Sequence, residues 1–163
     1  MLVILNKKVY WQDGQLIEQA YSDISWLLRD VRFERMMALK SPIIRTALNN
    51  GVIDSHQVTP WIAMDAILLD ILYAYSAWLD FNKVQSPILI TSGFRHLLTT
   101  ALTEGAARNS EHTKGGAADI VIPNVSPMKS AAFGRFLAGG GVGLYASRNF
   151  VHVDKGRVRT WSL

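Results

Sequence analysis

The chain contains no cysteine. Disulfides and thiolate metal sites are excluded, and any metal must be held by His, Asp or Glu. It also lacks a long hydrophobic run. Met1-Leu-Val-Ile-Leu5 is apolar, but Asn6-Lys7-Lys8 ends it. That is too short for the apolar core of a secretion signal or for a membrane span, so neither an export signal nor a spanning helix is expected. No Arg/Lys run is interleaved with aromatics, and nucleic acid is not an expected partner. Charged residues are few, at 18%, against 49% apolar. That balance excludes a disordered chain and permits a full core. The net charge of +4 suits an ordinary solvated basic surface or attraction to a polyanion such as anionic lipid or cell wall.

A chain of 163 residues is expected to form a single domain, 1–163, with residues 1–20 as an N-terminal hairpin extension. Leu2–Leu5 and Lys8–Trp11 pattern as hairpin strands, and Asp13-Gly14 is a second turn signal. Ser22 is placed to cap a helix carrying Ile24, Leu27 and Leu28. Arg29, Asp30 and Arg32 suggest a surface ion-pair cluster. Ser41-Pro42 predicts a short helix over Pro42–Leu48, and Thr59-Pro60 the longest one, to about Asp80. Trp61, Met64, Ile67, Leu68, Ile71, Leu72, Tyr75, Trp78 and Leu79 recur on one face of it, as a core stripe does. Strands are expected at Ile88–Thr91, Ala117–Ile122, Val142–Ala146 and Phe150–Asp154, with helices over Leu97–Ala107 and from Pro127 to the glycines at 139–141. Helices early and strands late define an α+β class, a small mostly antiparallel sheet packed with several helices.

Ser110–Asp119, Ser-Glu-His-Thr-Lys-Gly-Gly-Ala-Ala-Asp, concentrates the chemistry. His112 precedes glycines able to make a tight turn at positive φ. Asp119 then falls inside an apolar strand, where a carboxylate needs a partner, either a metal or an arginine. In Phe150–Asp154 the period of two puts Val151 and Val153 on one face and Phe150, His152 and Asp154 on the other. If Lys155-Gly156 is a two-residue loop, Asp154 lies opposite Arg157, His152 opposite Arg159 and Phe150 opposite Trp161, with Val158 sharing the buried face. Such a polar face is either the wall of a site or an ion-paired surface. His112, Asp119 and His152 make a two-His, one-carboxylate set with no fourth protein ligand, the pattern of an open catalytic zinc site. Non-haem iron uses the same ligand types.

The spacing Ser110-x-His112-x-x-Gly115-x-Ala117-x-Asp119 with a later His resembles the zinc D-alanyl-D-alanine peptidases, which include the VanX dipeptidases and share the fold of the hedgehog signalling domain. The murein endopeptidase K-like branch is more similar still, through Ser92-Gly93-Phe94-Arg95, the closing stretch Phe150–Trp161 and the helix from Ser22; the likeness covers residues 22–161. The resemblance implies one Zn2+ per chain on His112, Asp119 and His152, with Arg95 holding a substrate carboxylate or the developing oxyanion and Ser110 hydrogen-bonding substrate. It implies a monomeric hydrolase of peptidoglycan stem peptides or cross-links, an endopeptidase with a D,D- or L,D-carboxypeptidase as the alternative, working in the periplasm or cell wall. With no export signal in the chain, release by phage, another secretion route or a trimmed signal would bring it there. Better-known family members carry an acidic base three residues before the second histidine; here that position is Asn149. Asp154 is the expected replacement, as base or as a group orienting a ligand, and Glu111 is a more remote one. The loss of the usual base also leaves room for a non-catalytic, zinc-retaining wall-binding module.

Overall fold

In the computed structural model, which describes residues 11–12, 15–103 and 109–163, the α+β order is as expected: helices precede most of the sheet. A short antiparallel pair, β1 (Trp11–Gln12) and β2 (Gln15–Leu16), brackets the Asp13-Gly14 turn signal. The expected hairpin over Leu2–Leu5 and Lys8–Tyr10 lies outside the described residues. Helices α1 (Glu18–Leu27), α2 (Val31–Ala38) and α3 (Pro42–Asn49) follow. α1 begins before Ser22, at Glu18, and α2 was not anticipated. Asp30, expected in a surface ion-pair cluster, is buried and caps α2 by accepting the Phe33 N–H at 2.8 Å. Arg29 does pair with a carboxylate, that of Glu34, at 3.1 Å.

The long helix α4 (Ala66–Phe81) starts six residues after Pro60, with Asp65 as its cap. Pro60–Asp65 stays extended because tertiary partners take its backbone groups. Asp30 N–H donates to Pro60 O, Met64 N–H donates to Ser25 Oγ, and Asp65 N–H donates to Gly115 O. The apolar stripe is core from Leu68 to Leu79, whereas Ile67 is 52% exposed. After α4 come β3 (Leu89–Ser92), α5 (Leu97–Ala101), β4 (Ala117–Val121), α6 (Pro127–Leu137), β5 (Gly141–Tyr145), β6 (Phe150–Asp154) and β7 (Arg159–Ser162). The sequence pattern extended α5 to Ala107; residues 104–108 are not described.

The main sheet has the order β3-β4-β6-β5-β7, antiparallel except for the parallel β5–β7 pair. One face buries Ile90, Ala118, Ile120, Val142, Val151 and Val153 against Leu68, Leu72 and Tyr75 of α4. Each such aliphatic side chain contributes roughly 1.5–3 kcal/mol on burial. A second cluster, Phe33, Ile44, Ala47, Ile53 and Leu98, sits beneath α2, α3 and α5. By the period of two, Asp119 and His152 face away from the main core.

The expected β6–β7 hairpin does not form. Asp154 Oδ1 accepts the Gly156 N–H at 2.7 Å, and the chain crosses to the far side of β5. Asp154 is therefore not paired with Arg157, and Val158 is 63% exposed rather than core. The glycines of β5 explain the choice. In the sheet, Gly141 lies between Asp154 and Arg159, and Gly143 between His152 and Trp161. A Cβ on Gly143 would stand 2.5 Å from the Trp161 ring. Bare backbone there lets the large side chains of β7 lie across β5 and reach β6.

Candidate metal centre

Three elements aim three ligand atoms at one point. His112 sits in a 3-10 turn, Glu111–Lys114, whose cap is Ser110; the Ser110 Oγ accepts the His112 N–H at 3.3 Å. The turn closes on Gly115 at φ 71°, and a Cβ there would meet the Ala63 carbonyl at 3.1 Å. Asp119 on β4 is directly opposite His152 on β6. His112 Nε2 lies 3.2 Å from His152 Nδ1 and 3.3 Å from Asp119 Oδ1, and Asp119 Oδ1 lies 2.9 Å from His152 Nδ1. Donor atoms at about 2.0–2.1 Å from a tetrahedral zinc stand about 3.3–3.4 Å apart, so the triangle has the dimensions of one face of such a site.

The outer hydrogen bonds decide what these atoms carry. His112 Nδ1 is 2.7 Å from the Gly93 carbonyl, which only accepts, so Nδ1 holds the proton and Nε2 the lone pair. His152 Nε2 is 3.0 Å from Asp154 Oδ2, so Nδ1 is likewise the lone-pair nitrogen. Two imidazole lone pairs and a carboxylate oxygen thus converge with no proton of their own between them, an arrangement that attracts a cation. Burial alone would raise the Asp119 carboxyl; in the metal-free site, contact with the His112 and His152 imidazoles outweighs it and holds the group well below the usual carboxylate range. Burial alone would lower His152, but Asp119 and Asp154 overcome it and raise the imidazole. The cluster draws positive charge onto itself, as a proton when no metal is bound.

Arg95 reaches the same point. Its Nη2 donates to Asp119 Oδ2 at 3.2 Å and to Ser92 Oγ at 3.0 Å, leaving other guanidinium N–H groups toward the surrounding groove. The Ser92–Arg95 stretch divides its work residue by residue. Gly93 lets the backbone approach Leu28 and offers its carbonyl to His112, while Phe94 is buried in the core.

Asp154 stands behind His152, fully buried, with both oxygens engaged. Oδ1 accepts from Gly141 N–H at 3.2 Å, Gly156 N–H at 2.7 Å and Arg159 Nη1 at 3.0 Å; Oδ2 accepts from His152 Nε2 at 3.0 Å and Arg159 Nη2 at 2.7 Å. Burial would raise its pKa, but His152, Arg159 and the Gly156 N–H outweigh it and hold the carboxyl well below the usual range. An aspartate so saturated has no free lone pair for a substrate-side proton. Asn149 is a left-handed cap at φ 56° on the short turn before β6. Glu111 lines the groove, with one oxygen on Lys114 Nζ at 3.0 Å.

The sequence reading set Arg159 and Trp161 on the polar face with His152, as a candidate site wall, but through a β6–β7 hairpin and with no role for either. Arg159 clamps Asp154, and the Trp161 ring lies 5.3 Å from that of His152. Alternate glycines in the Gly141–Gly143 strand were the available signal, since they mark a face onto which neighbouring side chains fold. Two pockets share Arg95 and Thr103: one is lined by Leu28, Asp30 and Thr99, and the other by the three ligand residues together with Trp161, Arg148 and Arg157. Among the described residues, no helix is long and apolar enough to cross a membrane.

Residues 43–161 match the family model Peptidase_M15_2, described as peptidoglycan L,D-endopeptidase MepK. Over 105 residues the chain is 37% identical to the peptidoglycan L,D-endopeptidase MepK of Escherichia coli strain K12, covering 61% of this chain and 55% of that protein. Over 91 residues it is 42% identical to a probable peptidoglycan L,D-endopeptidase MepK of Haemophilus influenzae, covering 53% of this chain and 49% of the relative. The chain thus spans about half the length of these relatives. No solved structure matches it. The matched segment contains all three converging ligand atoms, and with a family model covering most of its length the chain belongs to the Peptidase_M15_2 family, the MepK branch of the M15 peptidases.

Proposed function

We propose that this protein is a zinc-dependent peptidase that hydrolyses an amide of peptidoglycan stem peptides or cross-links as an endopeptidase. The observation that carries the reading is the convergence of His112 Nε2, Asp119 Oδ1 and His152 Nδ1 at the floor of a groove, each histidine held by an outer acceptor in its ligating tautomer. One Zn2+ held by these atoms would supply Lewis acidity and an activated water at neutral pH. Arg95, pinned by Asp119 and Ser92, turns its remaining N–H groups toward the substrate carbonyl and stabilises the oxyanion. Ser110 spends its lone pair on His112 N–H and keeps its hydroxyl proton to donate to substrate. Asp154 is a positioning residue that orients His152. Proton acceptance falls to Glu111: of the groove carboxylates Glu111, Asp119 and Asp154, it alone keeps an oxygen outside the hydrogen bonds of the described residues.

A second pocket adjoining the metal-site pocket at Arg95 gives room for peptide beyond the centre, which favours cleavage within a peptide over removal of a terminal residue. The names of the two relatives point the same way. The reading takes residues 1–163 as a single monomeric peptidase domain, acting where peptidoglycan lies, in the periplasm or cell wall. The test is purified peptidoglycan incubated with zinc-loaded protein, read as muropeptide products. Cleavage of cross-linked species by the wild type is expected, abolished in His112→Ala and lowered about 100-fold or more in Glu111→Gln at unchanged zinc content. An unaltered muropeptide profile with the stoichiometrically loaded wild type would leave a binding module as the reading.

A further inference from the structure

Among the described residues, the pocket around the metal centre holds more positive charge than its carboxylates balance. Glu111 is paired with Lys114, Asp119 with Arg95 and Asp154 with Arg159. Arg148 and Arg157 also line the stretch beyond His152, both exposed, and no carboxylate of the described residues is beside either. They flank an aromatic wall. Tyr145 stacks on Phe150 at 4.4 Å, and Trp161 donates its indole N–H to the Tyr145 hydroxyl at 3.2 Å. Arg159, by contrast, lies over Trp161 with its guanidinium committed to Asp154. The aromatic cluster leaves apolar area for a peptide backbone, and the Arg148 and Arg157 guanidinium groups, without an ion pair to the described residues, line the same pocket. A guanidinium presents paired N–H donors that match a carboxylate's two oxygens, and an uncompensated pair of them selects for an anion in that position.

We propose that Arg148 and Arg157 recognise a free carboxylate of the bound peptide on the Trp161 side of the scissile amide, and that this makes the protein selective for acidic over amidated stem peptides. The proposal rests on the peptidase reading above and adds the feature of the substrate that it selects. A neutral carboxamide offers one acceptor oxygen and places an N–H2 donor against guanidinium donors, so it loses both the charge and half of the fork. Because the two arginines are exposed, the selectivity weakens as salt rises.

The experiment pairs two synthetic cross-linked stem peptides that differ only in a carboxylate or carboxamide beside the scissile bond. Both are offered to the full zinc-loaded chain, and binding by calorimetry and hydrolysis are measured separately. The wild type is expected to bind the acid about 10–100-fold more tightly than the amide, on the scale of charge-assisted contacts. In the Arg148→Gln/Arg157→Gln double variant the ratio should fall to near one, and in the double lysine variant an intermediate ratio should return. Equal binding of acid and amide by the wild type, or full preference surviving in the double glutamine variant, overturns the proposal. Acid-selective binding without hydrolysis of either peptide supports it while removing the peptidase reading. Hydrolysis of both peptides without selectivity removes this inference alone.

Discussion

Asp154 determines which nitrogen His152 turns to the centre. Its Oδ2 takes the Nε2 proton, and Arg159 together with two backbone N–H groups keeps the carboxylate ionised and fixed. Asparagine at this position would put an amide N–H2 where Arg159 or His152 now donates. Asp154→Asn is therefore expected to weaken zinc binding by about 10–100-fold, the scale seen when an orienting partner of a ligand is lost. Competition with a chromogenic chelator measures this without any turnover; wild-type affinity in the variant would contradict the positioning role. The ligand set itself was legible because it is local chemistry. Histidine before a glycine turn, aspartate inside an apolar strand and histidine at a period-two position are each weak alone, and their combination is the signal. The role of Asp154 was not legible, since a base and an orienting group are the same residue at the same spacing. What separates them is the donors from Gly141 and Arg159, which arrive on other strands.

At the level of elements, two departures from the sequence pattern have the same origin in tertiary hydrogen bonds. The helix signal at Thr59-Pro60 is overridden because Pro60–Asp65 bonds to Asp30, Ser25 and Gly115. α2 was hidden because its cap, Asp30, reads as one member of a charge cluster, yet Asp30 also accepts the His96 N–H at 2.9 Å and so ties α2 to the start of α5. His96 is itself buried and stacked on Phe33 at 3.8 Å, with Nδ1 capping Leu98 N–H at 3.1 Å and Nε2 on Gln57 O at 2.9 Å. Burial lowers its pKa from the ordinary 6.5, outweighing the Gln57 carbonyl and Asp30. The folded state thus binds this proton less readily than the unfolded chain. The contribution is whole above pH 6.5 and is lost as pH falls through the lowered folded value. Chemical denaturation between pH 7 and pH 5 is expected to show the wild type losing stability relative to His96→Asn as pH falls; parallel profiles would count against it. The strand β5 makes a separate demand. Gly143→Ala places a methyl group against Trp161 and is expected to cost roughly 1–3 kcal/mol of stability by overpacking, while alanine at the exposed Ala146–Arg148 turn, as in Ser147→Ala, stays within about 0.5 kcal/mol of the wild type. Thermal denaturation of the two proteins side by side gives the comparison.

For the molecule as a whole, the α+β class was readable because helical and strand periods occupy different halves of the chain. The strand order was not. Placing β7 beside β5 rather than β6 depends on the Asp154-capped turn and on the gaps at Gly141 and Gly143, and the glycines lie outside the 150–162 segment. The ligands come from a 3-10 turn and two strands far apart in the chain, so the site exists only in the folded state. A metal that binds the native form alone raises stability by mass action, about 2.7 kcal/mol at a free concentration a hundredfold above Kd. Chelation is expected to lower the melting temperature by several degrees and zinc to restore it in proportion to the logarithm of its concentration. A melting temperature indifferent to both would argue against a metal at His112, Asp119 and His152. The gap at Gly143 has an optical consequence too. By letting the Trp161 indole lie 5.3 Å from the His152 ring, it places one of the five tryptophans within quenching range of a candidate metal-ligating imidazole. Titrating zinc into the metal-free protein is therefore expected to change the Trp161 emission with no added dye.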